Sequence, residues 1–189
     1  PPTNLQATDG TKPGVEITWD YDSGYGTYFR VYRSDKPDRD FTPISPWWYC
    51  NLDSWYDTPP VKGMDYYYNV IANLNKDDLH ASHSNVDSGW GTLQSPRTMW
   101  ASDGIGDYSV VLNCFDEGED YYFRFYRADH PETVPDPISG WLEDPWYGDT
   151  TATPGKTYYY RAKVAPDKSE DRASDWSSYD TGWRLMLPP

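Results

Sequence analysis

One stretch of this chain occurs twice. Tyr28-Phe29-Arg30-Val31-Tyr32-Arg33-Ser34-Asp35 returns, 94 residues on, as Tyr122-Phe123-Arg124-Phe125-Tyr126-Arg127-Ala128-Asp129. Pro43-Ile44-Ser45-Pro46-Trp47 returns as Pro137-Ile138-Ser139-Gly140-Trp141 at the same spacing, and Asp9-Gly10 as Asp103-Gly104. Trp55-Tyr56 matches Trp146-Tyr147, Tyr66-Tyr67-Tyr68 matches Tyr158-Tyr159-Tyr160, and Asp87-Ser88-Gly89-Trp90 matches Asp180-Thr181-Gly182-Trp183. The order is kept and the spacing drifts only by small loop indels, so the 189 residues hold two copies of one module. We place copy one at 1–93, a linker at 94–95 and copy two at 96–189. Pro96 restricts itself and Ser95 to extended backbone, which predicts copies set end to end with limited freedom. The Pro-Pro pairs at both ends read as the edges of a segment cut from a longer protein.

Within each copy the apolar pattern has a period of two. Val15, Ile17 and Trp19 share one strand face; Phe29 and Val31 share another, opposite Tyr28, Arg30 and Tyr32; Tyr66, Tyr68, Val70 and Ala72 alternate again. Gly, Pro, Asp and Ser clusters separate these runs, and no stretch keeps a helical period for three turns. The expected fold class is all-β: two tandem immunoglobulin-like antiparallel sandwiches of about seven strands each.

Composition narrows the function classes. Lys and Arg number 16 against 30 Asp and Glu, a formal charge of -14 spread over both copies, so nucleic acid and anionic membrane surfaces are poor partners. There is no apolar run long enough for a membrane span and no signal-type segment. Aromatic residues make up 17% of the chain, with 10 Trp and 18 Tyr, which argues against disorder. Two cysteines, Cys50 and Cys114, make neither a disulfide framework nor a zinc site, and their placement in different copies speaks against a bond between them.

Each copy resembles a fibronectin type III domain of the variety found in bacterial multidomain proteins. In copy one the resemblance is carried by Pro2, Leu5 and Ala7, by Trp19, by the Phe29–Arg33 strand, by Trp55-Tyr56-Asp57, and by Gly63 ahead of Tyr66. In copy two it is carried by Met99, Ala101, Val110, Leu112, Phe123–Arg127, Trp146-Tyr147, and Pro154-Gly155 ahead of Tyr158. The resemblance makes Tyr66 and Tyr158 tyrosine corners, each hydroxyl bonding back to the backbone. It also implies a non-catalytic segment of a secreted or surface protein, a spacer whose partners are neighbouring domains or another protein. Copy two departs from the pattern, with Cys114 where copy one has the core indole Trp19. We expect Trp100 or Phe115 to refill that volume.

Chemistry is sparse. His80, His83 and His130 lie in polar turns, with no nucleophile elbow or catalytic cysteine motif nearby, and no cofactor is expected. The acidic loops 35–40 and 116–120 lack the spacing of a calcium loop and read as solvated turns. The stripes Tyr28-Arg30-Tyr32 and Tyr122-Arg124-Tyr126 should face outward, as a braced sheet face or as a binding face. Arg33 and Arg127 continue those strands toward a local Asp.

The tryptophans exceed what two small cores need. Trp47, Trp48, Trp141 and Trp146 are candidate ligand or partner residues, because flat exposed rings stack on sugars and anchor protein interfaces. Trp47 and Trp48 are consecutive, so in a strand they point to opposite faces. Trp100 takes the outward place of Gln6, beside the linker, where it would cap the joint. Trp90 and Trp183 are expected to be structural. Carbohydrate binding is the alternative function; four buried rings would remove it, and a coplanar exposed row would support it.

Overall fold

A computed structural model describes residues 1–21, 27–49, 52–106, 108–115 and 121–186. The chain divides into two compact units, Pro1–Thr92 and Leu93–Pro189. The first unit contains strands β1 (Thr3–Ala7), β2 (Val15–Asp20), β3 (Tyr28–Ser34), β4 (Thr42–Pro43), β5 (Trp48–Tyr49), β6 (Ser54–Asp57), β7 (Tyr66–Asn73), β8 (Ser82–His83) and β9 (Asp87–Gly89). The second contains β10 (Thr98–Ala101), β11 (Val110–Phe115), β12 (Tyr122–Ala128), β13 (Asp136–Pro137), β14 (Trp146–Asp149), β15 (Tyr158–Ala165) and β16 (Asp180–Gly182). No helix among the described residues is long and apolar enough to cross a membrane.

Both units have the same two-layer plan. A three-stranded antiparallel sheet (β1-β2-β6 or β10-β11-β14) faces a larger one built on β3 and β7 or on β12 and β15. In the first unit β4 and β5 share one edge of the larger sheet, and β8 and β9 share the other. The inward set of each strand makes the core, as alternation requires. Leu5, Val15, Ile17 and Trp19 meet Phe29, Val31, Tyr68 and Val70 in the first unit. Met99, Val110, Leu112 and Cys114 meet Phe123, Phe125, Tyr160 and Val164 in the second. Each such aliphatic or aromatic side chain contributes about 1.5–3 kcal/mol by leaving water.

The exchange of Trp19 for Cys114 resolves differently from expectation. Trp100 and Phe115 lie outside the core, 41% and 57% exposed. The whole neighbourhood is smaller instead. In the first unit Trp19 lies against Trp48 at 6.5 Å between ring centroids, and Trp48 stacks on Trp55 at 5.0 Å. The places of Trp48 and Trp55 in the second unit are taken by Leu142, which bridges to Phe123 as Trp48 pairs with Phe29, and by Tyr147, which pairs with Leu112 as Trp55 pairs with Ile17. Three indoles have become Cys, Leu and Tyr together, and Tyr147 stacks on Phe125 at 6.0 Å. Close packing explains why the three change as a set, since one small residue among large ones would leave a cavity.

That register also corrects the match of Trp55-Tyr56 to Trp146-Tyr147. Strand pairing equates Trp55 with Tyr147 and Asp57 with Asp149, and leaves Trp146 opposite Asn113, where the first unit has Ser54 opposite Thr18. A one-residue slip moves a side chain to the other face of the sheet, so Trp146 points out while Trp55 points in.

Candidate functional site

The outer face of the larger sheet carries one arrangement in both units. The Arg30 guanidinium lies 5.6 Å from the Tyr32 ring and 5.9 Å from Trp47. Its Nε donates to the Ser45 carbonyl at 3.3 Å, and Nη1 meets the Asp78 carboxylate at 3.1 Å. Arg124 repeats this between Tyr126 and Trp141 at 5.6 and 5.8 Å, with the Ser139 carbonyl at 3.3 Å and Glu170 at 3.0 Å. Alternation puts the Arg and Tyr outside, and the chain returning after β4 or β13 brings the Trp over the Arg. The acid comes from a one-turn 3-10 helix, Asp78–His80 or Glu170–Arg172. Each guanidinium thus has a ring on either side and oxygens at its edge, which is the arrangement of a brace. Tyr28 and Tyr122 add a cation–π contact each, with Lys76 at 4.5 Å and Lys168 at 4.4 Å.

Tyr126 faces outward as expected but is covered there, only 4% exposed. Trp176 lies edge-on against its ring at 4.7 Å, and its hydroxyl donates to Glu170. Burial, then Glu170, pushes the phenol well above the ordinary tyrosine value. Trp176 precedes Ser177, whose hydroxyl accepts the Ala162 N–H; His83 precedes Ser84, which accepts the Val70 N–H in the same way. The first unit therefore has no indole at that place, and Tyr32 stays half-buried. The Tyr32 phenol is still pushed up to about 12, by burial and by the Asp78 carboxylate.

A second duplicated constellation closes one end of each sandwich. Arg33 and Tyr68 are cross-strand neighbours on the inner face of the larger sheet, and both reach Asp57 on the smaller sheet. Arg33 Nη1 lies 3.0 and 2.8 Å from the two carboxylate oxygens, and the Tyr68 hydroxyl donates at 2.9 Å. In the second unit Asp149 accepts from Arg127 at 2.8 Å, Tyr160 at 3.0 Å, and the hydroxyl and N–H of Thr151 at 2.7 and 2.9 Å. Burial disfavours the ionised Asp149, but the Thr151 hydroxyl, Arg127 and the Thr151 N–H outweigh it and hold its pKa below the usual carboxylate value. The same arginines lie over the rings of Tyr66 and Tyr158. The hydroxyls of Tyr66 and Tyr158 accept the N–H groups of Val61 and Thr153, five residues upstream. The sequence pointed to the arginines, to a local Asp as their partner and to these two tyrosines, but not to Asp57 and Asp149 as that partner or to Tyr68 and Tyr160 beside it. The signal was available, because Asp and Tyr stand 11 residues apart in both copies.

The remaining tryptophans divide by role. Trp48 is half-buried and packs against the core of the first unit, between Trp19 and Trp55. Trp47 and Trp141 are half-buried, each with an Arg at one face. Trp90 and Trp183 cover Gly10 and Gly104, whose φ values are +59° and +62°; an added Cβ would sit 2.1 and 2.2 Å from the indoles. The two Asp-Gly turns seen as repeats in the sequence are thus seats for the two repeated tryptophans. Trp146 stands out at 57% exposure. His80 meets Asp77 at 2.5 Å on the surface, and His83 and His130 are exposed. Among the described residues no three His, Cys, Asp or Glu side chains gather as a metal site. Cys50 and the acidic loop 116–120 lie outside the described residues.

With this geometry the chain is similar to known tandem sandwiches. A two-domain fibronectin type III segment of chicken tenascin superposes with a TM-score of 0.71, covering 95% of this chain and 97% of that one at 14% identity. The chicken interferon gamma receptor alpha chain aligns over 98% of both chains with a TM-score of 0.51 and 11% identity. An Fn3-like protein from Clostridium thermocellum aligns with 50% of this chain and 94% of its own, at 25% identity and a TM-score of 0.39. No family model and no curated protein matches the sequence. The fold class is that of two tandem fibronectin type III sandwiches.

Proposed function

We propose that the chain is a non-catalytic pair of modules from a larger bacterial secreted or surface protein, spacing its neighbouring domains and engaging a protein partner. One observation carries this reading: the polar groups best suited to chemistry are committed to structure, identically, in both copies. Arg33 and Arg127 hold Asp57 and Asp149 across the sandwich, and Arg30 and Arg124 are stacked between rings and hydrogen-bonded at their edges. Such duplication of braces suits a stiff body. Single-molecule energy transfer between dyes on the exposed positions Asp38→Cys and Glu132→Cys, in a Cys50→Ser background, tests it. One narrow distance distribution is expected; the breadth of a flexible tether would overturn the spacer reading. Carbohydrate binding is the second reading, and the exposed Trp146 favours it.

A further inference from the structure

The two copies also differ on the outer face of the smaller sheet. In the first unit that face is polar apart from Tyr56, which stands opposite Glu16. Gln6, Thr18 and Ser54 form one row across β1, β2 and β6, with Glu16 and Asp20 on either side of Thr18 along β2. In the second unit the same row is Trp100, Asn113 and Trp146, and Val111 and Phe115 replace the two acids. The two indoles and the flanks stand open, with Trp100 41% exposed, Val111 42%, Phe115 57% and Trp146 57%, while Asn113 between them is half-buried. Asn113, between the two indoles, has its amide oxygen buried with no hydrogen-bond partner among the described residues.

We propose that this face of the second unit binds a neutral polysaccharide, with Trp100 and Trp146 stacking on the sugar rings. The proposal rests on the carbohydrate reading, not on the spacer reading. Three features choose the occupant. The patch measures roughly 10 by 14 Å, from two strand spacings and four residues of rise, far below the about 800 Å² per partner of a stable protein interface. The -14 charge of the chain opposes a second copy of itself and any acidic polymer, whereas a neutral glycan meets no such field. Two exposed indoles two strand spacings apart match the apolar C–H faces of pyranoses in one glycan chain. An extended chain lying along the row would place two sugars on the two indoles. Sequence reading named Trp146 and set Trp100 apart as a structural residue; the strand register puts them in one site.

The test is affinity electrophoresis of the whole chain in gels holding hydroxyethylcellulose, xylan or, as the acidic control, polygalacturonate. The variants are Trp100→Gln and Trp146→Ser, the residues that the first copy carries at those places in the same fold. Retardation by a neutral glycan is expected, about tenfold weaker in each single variant and lost in the double one, with no retardation by polygalacturonate. Trp47→Ala and Trp141→Ala should bind as the parent does. If no neutral glycan retards the parent chain, the carbohydrate reading fails and the site with it. If retardation persists in a double variant whose circular dichroism matches the parent, the site is wrong while the reading stands.

Discussion

Asp149 is the residue on which the second sandwich should prove most dependent. It is fully buried and accepts four hydrogen bonds, from Arg127, Tyr160 and twice from Thr151. Tyr160→Phe keeps the ring and removes one donor to a charged acceptor that retains three others, a loss of about 1–2 kcal/mol. Asp149→Ala removes the acceptor from all four donors and leaves the buried Tyr160 hydroxyl and the Arg127 charge unmatched. Breaking a buried pair costs about 3–5 kcal/mol, and the partial exposure of Arg127 lowers this toward about 3–4 kcal/mol. For a unit of fewer than 100 residues, about 1 kcal/mol corresponds to about 4–8 °C. Asp149→Ala should therefore lower the melting of the second unit by at least about 12 °C, and Tyr160→Phe by well under that. Near-UV circular dichroism on heating, together with urea unfolding, reads both. An Asp149→Ala cost no larger than that of Tyr160→Phe would refute the claim that this carboxylate organises the end of the sandwich.

Three further outcomes are expected. The native pKa of Asp149 lies below its unfolded value, near 3.9, so its ionised form stabilises the fold above that pH and the contribution disappears as pH falls through the native value; Asp149→Asn should flatten the acid limb of the pH–stability curve below about pH 4, measured on the whole chain. Gly104→Ala forces a left-handed φ on a residue with a Cβ, and that Cβ would strike Trp183, so equilibrium unfolding should show a loss of about 2 kcal/mol or more. Tyr126→Phe removes one donor to Glu170, which keeps Arg124 and Lys163 and is partly exposed, and should cost about 1 kcal/mol or less in urea unfolding, whereas Tyr32→Phe, whose buried hydroxyl has no hydrogen-bond partner among the described residues, should be neutral or stabilising.

Duplication and a period of two were enough to derive two all-β modules and to sort the core strands. Val15, Ile17 and Trp19 are buried on one face, as alternation demands, because an in–out pattern of apolar residues has only one way to hide on a pleated sheet. The repeated Asp-Gly and Gly-Trp segments were visible as well, though not that each tryptophan covers its own glycine. What the chain order could not supply was the strand register and the shape of the neighbours. Trp146-Tyr147 looks like Trp55-Tyr56 in one dimension, yet the pairing of β11 with β14 shifts it by one residue and turns Trp146 outward. Of Trp47 and Trp48, expected on opposite faces, Trp48 joins the aromatic stack of the core, and Tyr126, on the outer face, lies under Trp176, about 50 residues away in sequence. Local pattern reports the period of a strand, whereas the partner of a side chain is chosen by close packing between segments that are distant along the chain, and only the folded sandwich brings those together.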